Sequence, residues 1–348
     1  MHAYAVQDAT GLIKLDAMEN PFSLPDALQA ELGQRLGRVA VNRYPGPRTE
    51  ALRVELGRYA GVPDGFDLML GNGSDELISL LAMACDKPDP DGRPAAILAP
   101  LPGFVMYAMS AQLQGLSFVG VPLTADFELD EAAMLAAITE HRPAVVYLAY
   151  PNNPTANLWD DEAIERIVVA QGEQGGIVVM DEAYQPFAAR SYLGRLARHG
   201  HVLLMRTLSK FGLAGVRLGY MIGPKALVAE VDKVRPPYNI SVLNTECALF
   251  ALEHADVFAQ QAALIRAERE ALLRSLGQLP GVVVFPSEAN MILVRVPDAQ
   301  LCFDGMKRDG VLVKNVSKMH TLLHNCLRLT VGTPDENRRM LAALQSTL

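Results

Sequence analysis

Paired cysteines are missing from this sequence: Cys85, Cys247, Cys302 and Cys326 stand far apart, with no Cys-x-x-Cys spacing among them. That excludes a disulfide framework and a thiolate metal site, and it fits a reducing compartment. Long apolar runs are missing too, since none approaches the ~20 residues a membrane helix requires. The start, Met-His-Ala-Tyr-Ala-Val-Gln-Asp, has no basic segment leading into an apolar one, so export and membrane insertion are not expected and a cytoplasmic protein is. Positive charge is in deficit: the formal net charge is -8, whereas a nucleic-acid surface needs clustered Lys and Arg. No nucleic-acid partner is expected, and any bound anion has to be gripped by a local group of residues. No metal is expected either. His320 and His324 have helical i, i+4 spacing but no third ligand nearby, and His2, His141, His199, His201 and His254 form no constellation.

Apolar material is plentiful. Half of the 348 residues are apolar, enough to bury a large core shared between two lobes. Short apolar runs at 67–70, 95–99, 144–149, 177–180, 202–205 and 218–222 alternate with helical segments, the pattern of an α/β fold with a mostly parallel central sheet flanked by helices. Residues 1–24, broken by prolines, read as an N-terminal arm. Helices are expected near 25–38 and 49–60, the second ending at Gly61. Beyond Pro236 and Pro237 the pattern changes to long helices near 241–254 and 256–277, strands near 282, 292, 312 and 328, and a closing helix after Pro334. The expected division is therefore an arm (1–24), a large domain (25–238) and a smaller α+β domain (239–348).

Three short motifs in order carry the chemistry: Asn-Asn-Pro-Thr at 152–155, Asp-Glu-Ala-Tyr at 181–184, and Arg-Thr-Leu-Ser-Lys-Phe-Gly at 206–212. Pyridoxal 5′-phosphate needs an amine to hold it as a Schiff base, an acid for its pyridine nitrogen, hydrogen bonds to its ring oxygen, and hydroxyls and an arginine for its phosphate. Lys210, after an apolar strand, is the expected nucleophile and proton shuttle, with its pKa lowered by desolvation beside cations. Asp181 follows Gly-Ile-Val-Val-Met, and polar residues just beyond strand ends face the ligand crevice of open α/β sheets. A strand-end carboxylate that caps the next helix is the plainer alternative for Asp181. Tyr184 and Asn153 are placed to reach the ring oxygen. Thr207, Ser209 and Arg217 are candidates for the phosphate. So are the backbone N–H groups of Ser74 and Asp75, where Gly71-Asn72-Gly73-Ser74-Asp75-Glu76 opens a helix. Glu76 breaks the Gly-x-Gly-x-x-Gly dinucleotide pattern, which disfavours a nicotinamide enzyme.

Taken together these motifs resemble the fold type I, class II pyridoxal-phosphate aminotransferases, and within them the histidinol-phosphate aminotransferases. The likeness runs from Glu19-Asn20-Pro21 through Asn42-Arg43-Tyr44-Pro45, Phe104-Val105-Met106-Tyr107, residues 151–155, 181–184 and 207–217, to Cys326-Leu327-Arg328 and Val331-Gly332-Thr333-Pro334. It implies a homodimer with active sites at the subunit interface. By the same resemblance, Tyr44 reaches the cofactor phosphate of a second subunit, Phe104 stacks on the pyridine ring, and Arg328, Lys314 and Asn20 serve the substrate. Read from the residues alone, a core position is the better reading for the aromatics at 104 and 44. The implied reaction converts imidazole-acetol phosphate and L-glutamate to L-histidinol phosphate and 2-oxoglutarate, in histidine biosynthesis. A threonine-phosphate decarboxylase and a broad aromatic aminotransferase of the same fold are the alternatives. Three departures stand out: Ala156 where glycine is usual, a 210–217 loop one residue short, and Lys314 where arginine is common, which supplies charge without the two-pronged geometry.

Overall fold

The arm is tied down before the main sheet begins. In the computed structural model, which describes residues 7–88, 92 and 94–348, a two-residue strand β1 (Ile13–Lys14) pairs in parallel with a strand from the far end of the chain. Seven strands then build the central sheet: β2 (Phe66–Gly71), β3 (Ala96–Leu101), β4 (Ser117–Pro122), β5 (Val145–Ala149), β6 (Ile177–Asp181), β7 (Val202–Thr207) and β8 (Gly219–Pro224). Their order is β2-β8-β7-β6-β5-β3-β4. All are parallel except β8, which runs antiparallel to both its neighbours. Strands buried on both faces read as continuous apolar runs, and β5 shows why. Val146 and Leu148 pack with one hydrophobic cluster, while Val145 and Tyr147 pack with the cluster on the opposite face.

The reversed β8 decides where the site falls. It starts where β2 and β7 end, with Gly219 opposite both Gly71 and Thr207. Two residues back along β7, Asp181 at the end of β6 lies beside Met205. The β7–β8 loop, the helix after β2 and the end of β6 therefore open onto one edge of the sheet, beyond the carboxyl ends where ligands bind in such folds. Gly219 allows the closest of these approaches. A Cβ there would fall 2.7 Å from the Gly73 carbonyl carbon and 2.8 Å from the Ser74 nitrogen.

A second, four-stranded antiparallel sheet has the order β12-β13-β10-β9. It is made from β9 (Val283–Val284), β10 (Met291–Arg295), β12 (Lys314–Asn315) and β13 (Cys326–Thr330), while β11 (Val311–Leu312) is the partner of β1. A separate apolar cluster fills this part. The closing helix Pro334–Gln345 starts where its sequence says it should, on a Thr333/Glu336 capping box with proline in its first turn. The helix Val242–Glu253 and Phe258 pack with the central-sheet cluster, whereas Ala262 and Ile265 of the following long helix pack with the second sheet. β4 and β1 are additions to the sequence reading. β1 is only two residues long, and β4 is partly exposed along most of its length.

Candidate active site

A cavity of about 360 Å³ opens at this sheet edge, and ten of the residues picked out from the sequence line it. Ser74 and Asp75 come from the helix after β2, and Phe104 from the start of the helix Val105–Leu113. Asn153 follows β5, Asp181 ends β6 and Tyr184 follows it, while Thr207, Ser209, Lys210 and Arg217 come from the end of β7 and its loop.

Lys210 is partly buried, and its Nζ donates to the Ala17 carbonyl oxygen at 3.0 Å and lies 5.8 Å from the centre of the Tyr184 ring. Burial brings its pKa down to about 8, helped by the Arg328 and Arg217 cations and opposed by Glu19 and Asp75. A lysine in that range supplies neutral amine near physiological pH, as attack on an aldehyde requires. Asp181 is buried, and burial pushes its carboxyl up to about 6, against the pull of two donors. These are the Tyr107 hydroxyl, 2.6 Å from Oδ2, and the Ala183 N–H, 3.1 Å from Oδ1.

The 210–217 loop is tight but reaches. Arg217 adopts a left-handed conformation (φ 54°, ψ 54°), which turns its guanidinium back over Gly73. Nη2 donates to Asp75 Oδ2 at 3.0 Å and Nη1 approaches Ser209 Oγ at 3.4 Å. A Cβ on Gly73 would sit 2.8 Å from Arg217 Nη2. Thr207 Oγ1 donates to Ser209 Oγ at 3.1 Å, and no side chain caps the helix that starts at Gly73. The first N–H groups of a helix lack intrahelical acceptors, so two hydroxyls, a guanidinium and a bare helix N-terminus converge on one anion-sized place. This donor set fits the phosphate of pyridoxal 5′-phosphate. The poised amine and the buried carboxylate of the same cavity fit its aldehyde and its ring nitrogen.

The remaining expected residues divide. Arg328 is buried on β13, with Nη1 donating to Asn153 Oδ1 at 2.7 Å and Nη2 to the Asp16 carbonyl oxygen at 2.8 Å. Lys314 stands opposite it on β12, its pKa lowered by burial and by the Arg328 charge, against the pull of Asp16. Asn20 lies beside Gly212 with its amide engaged, Nδ2 donating to Gln261 and Oδ1 accepting the Phe22 N–H. Tyr44 is not brought to the cavity. It is 80% exposed, stacks on Tyr238 at 4.7 Å and lines a separate groove of about 620 Å³. Ala156 is fully buried at φ 66°, so the turn keeps the left-handed shape that glycine would take without strain.

Two features of the site were not read from the sequence. Tyr107 is the donor to Asp181, and its one available signal was its place a helical turn beyond Phe104. The strap at residues 16–18 receives hydrogen bonds from Arg328 and Lys210, and the Met18 N–H donates to Thr330 Oγ1 at 3.1 Å. No side-chain motif marks it, because the contacts run through backbone carbonyls and an N–H.

Residues 10–344 match the family model for aminotransferase class I and II. A histidinol-phosphate aminotransferase from Methylibium petroleiphilum is 72% identical over 348 residues, spanning all of this chain and 92% of its own length. Among solved structures, the histidinol-phosphate aminotransferase from Sinorhizobium meliloti in complex with pyridoxal-5′-phosphate is 25% identical. It superposes with a TM-score of 0.84 over 97% of this chain and 90% of that one. The histidinol-phosphate aminotransferase from Clostridium acetobutylicum, 21% identical, shares the fold with a TM-score of 0.86 over 96% of this chain and 98% of its own.

Proposed function

Because the chain belongs to the class I and II aminotransferase family, we propose that it is a histidinol-phosphate aminotransferase acting in L-histidine biosynthesis. It transfers the amino group of L-glutamate to imidazole-acetol phosphate, reversibly, giving L-histidinol phosphate and 2-oxoglutarate. The observation that carries this reading is full-length identity of 72% with a histidinol-phosphate aminotransferase. A lysine amine of pKa about 8, in one cavity with a buried carboxylate and an anion cradle, supports it from the chemistry. Relatives of that name at this identity disfavour the threonine-phosphate decarboxylase and the broad aromatic aminotransferase.

When bound, pyridoxal 5′-phosphate supplies an aldehyde that condenses with amines and a pyridinium ring that draws electrons from the substrate Cα. In our reading Lys210 would hold the cofactor through its Nζ, and as a free amine that Nζ would carry the proton from the substrate Cα to the cofactor's aldehyde carbon in one half-reaction and back to Cα in the other. Asp181 keeps the ring nitrogen protonated. Tyr184 and Asn153 orient the ring oxygen, and Phe104 covers the ring face. Thr207, Ser209, Arg217 and the N–H groups of Ser74 and Asp75 hold the phosphate. Arg328, with Lys314 across the strand pair, receives the substrate's anionic end, a carboxylate in one half-reaction and a phosphate ester in the other. Asn20, held by its bonds to Gln261 and the Phe22 N–H, is assigned to the substrate with Arg328 and Lys314.

We assign Tyr44 to the site of a second copy of the chain, in a homodimer. The support is an exposed aromatic pair, Tyr44 on Tyr238, at a groove of about 620 Å³. A cytoplasmic location is in keeping with four free cysteines. Among the described residues no helix is long and apolar enough to cross a membrane. The test is to add L-histidinol phosphate to the cofactor-loaded protein and follow its conversion to the amine form, with tyrosine, phenylalanine and threonine phosphate in parallel. Histidinol phosphate is expected to react fastest. Equal rates with the aromatics, or carbon dioxide release from threonine phosphate, would overturn the assignment.

A further inference from the structure

Of the two donors that hold Asp181, one belongs to a residue that has no part in the machinery above. Tyr107 is 2% exposed, and its ring is fixed from two sides. It stacks on Tyr147 with centroids 4.2 Å apart and planes 10° from parallel, and it meets Phe104 edge-on at 5.6 Å. A ring clamped in this way cannot swing its hydroxyl from Asp181 Oδ2, 2.6 Å distant. Phe104 and Tyr107 are one turn apart at the start of the helix Val105–Leu113, so a single element sets both the wall against the cofactor ring and the angle of the carboxylate.

We propose that Tyr107 is a positioning residue, whose hydroxyl aims the Asp181 carboxylate at the cofactor's pyridine nitrogen and holds it ionised. The proposal rests on the role given to Asp181 above. The surroundings of Asp181 give the hydroxyl its weight. Burial raises the carboxyl, and the Asp75 and Glu182 anions raise it further, while Tyr107 and the Ala183 N–H oppose them. Among the described residues the phenols of Tyr147 and Tyr184 also bear on this spot, and the Cys85 thiol faces Tyr147 from behind. Burial and Asp181 push the Tyr107 phenol far above its ordinary value, so it stays a donor across the working range of pH. Without it, Oδ2 is a buried acceptor of negative charge that has lost its side-chain donor.

The experiment titrates pyridoxal 5′-phosphate into apoprotein of the wild type, Tyr107→Phe, Asp181→Asn and the double variant, from about pH 6 to about pH 9. Tyr107→Phe keeps the ring and its stack, and melting of the apoprotein verifies that it folds. Tyr147→Phe, which removes a neighbouring buried hydroxyl, serves as a packing control and is expected to bind as the wild type does. Tyr107→Phe is expected to weaken cofactor binding about tenfold near neutral pH, which is the scale of a hydrogen bond to a charged group. The loss should be larger at the acid end, because a carboxyl with a raised pKa is then protonated. In the Asp181→Asn background the same change should add little. If Asp181→Asn is weakened while Tyr107→Phe matches the wild type at every pH, or if the two losses add in full, the positioning role is overturned. If Asp181→Asn itself binds as the wild type does, the reading of Asp181 falls first.

Discussion

At the scale of single residues, the chemistry turns on an amine made reactive by its surroundings. Burial and two nearby arginines hold Lys210 at about 8 instead of the ordinary 10.5. A depressed lysine pKa means the protonated form persists below pH 8 and the neutral amine predominates above it. The rate at which apoprotein condenses with pyridoxal 5′-phosphate should therefore rise about tenfold per pH unit at first and level off near pH 8. Stopped-flow absorbance reads this, and a rate still climbing steeply beyond about pH 9.5 would mean an unperturbed lysine. Lys210 and Asp181 were legible because Asp181 ends an apolar run, Lys210 comes a few residues after another, and both fall within a recognisable order of motifs. Tyr107 was not, since a tyrosine on an apolar helix face reads as core, and its bond to Asp181 exists only after the chain has folded. Ala156 was legible as a departure but not in its effect. At φ 66° it carries left-handed strain of roughly 1–2 kcal/mol. Ala156→Gly would relieve that strain but give up a buried methyl of about 0.8 kcal/mol and roughly 0.5–1 kcal/mol of backbone entropy. Denaturant unfolding should show a net change of less than about 1 kcal/mol.

At the scale of elements, the decisive piece is the return from β7 through the Lys210 loop into β8. The strands themselves were readable, because buried sheet strands are short apolar runs. That β8 runs backwards, and that it starts against the helix opening at Gly73, depends on pairing between distant segments, which no local pattern encodes. β4 escaped notice for a local reason: Ser-Phe-Val-Gly-Val-Pro lies at the sheet's edge, half exposed, and has neither the apolar continuity of a central strand nor strict alternation. The contact at Gly219 tests this element. Gly219→Ala would drive a methyl against the backbone of Gly73 and Ser74, at a cost of about 1–3 kcal/mol. It should also displace the helix N-terminus assigned to the phosphate. Gly200→Ala, with open space around it, should be close to neutral. Melting curves and cofactor titrations of the two variants should differ in that order, and equal behaviour would contradict the close packing.

At the scale of the molecule, the site collects residues from both ends of the chain, as Lys210 and Arg328 both bond to the strap at 16–18. The α/β architecture was readable from the alternation of runs and helices. The joining of the arm to the last strands was not, because β1 is two residues long and pairs across nearly 300 positions. We place the start of the smaller unit within the long helix Ala255–Leu276, between Phe258 of one core cluster and Ala262 of the other. The exposed Tyr44–Tyr238 stack is read as dimer surface. Sedimentation is expected to give twice the mass of 37.8 kDa, and a monomer that binds cofactor and turns over at full rate would contradict the role given to Tyr44. The most direct measurement is to reduce the cofactor-loaded protein with borohydride, digest it and locate the labelled peptide by mass spectrometry. A single stable mark on Lys210 is expected; a mark on another lysine, or none, would contradict the assignment on which the catalytic scheme stands.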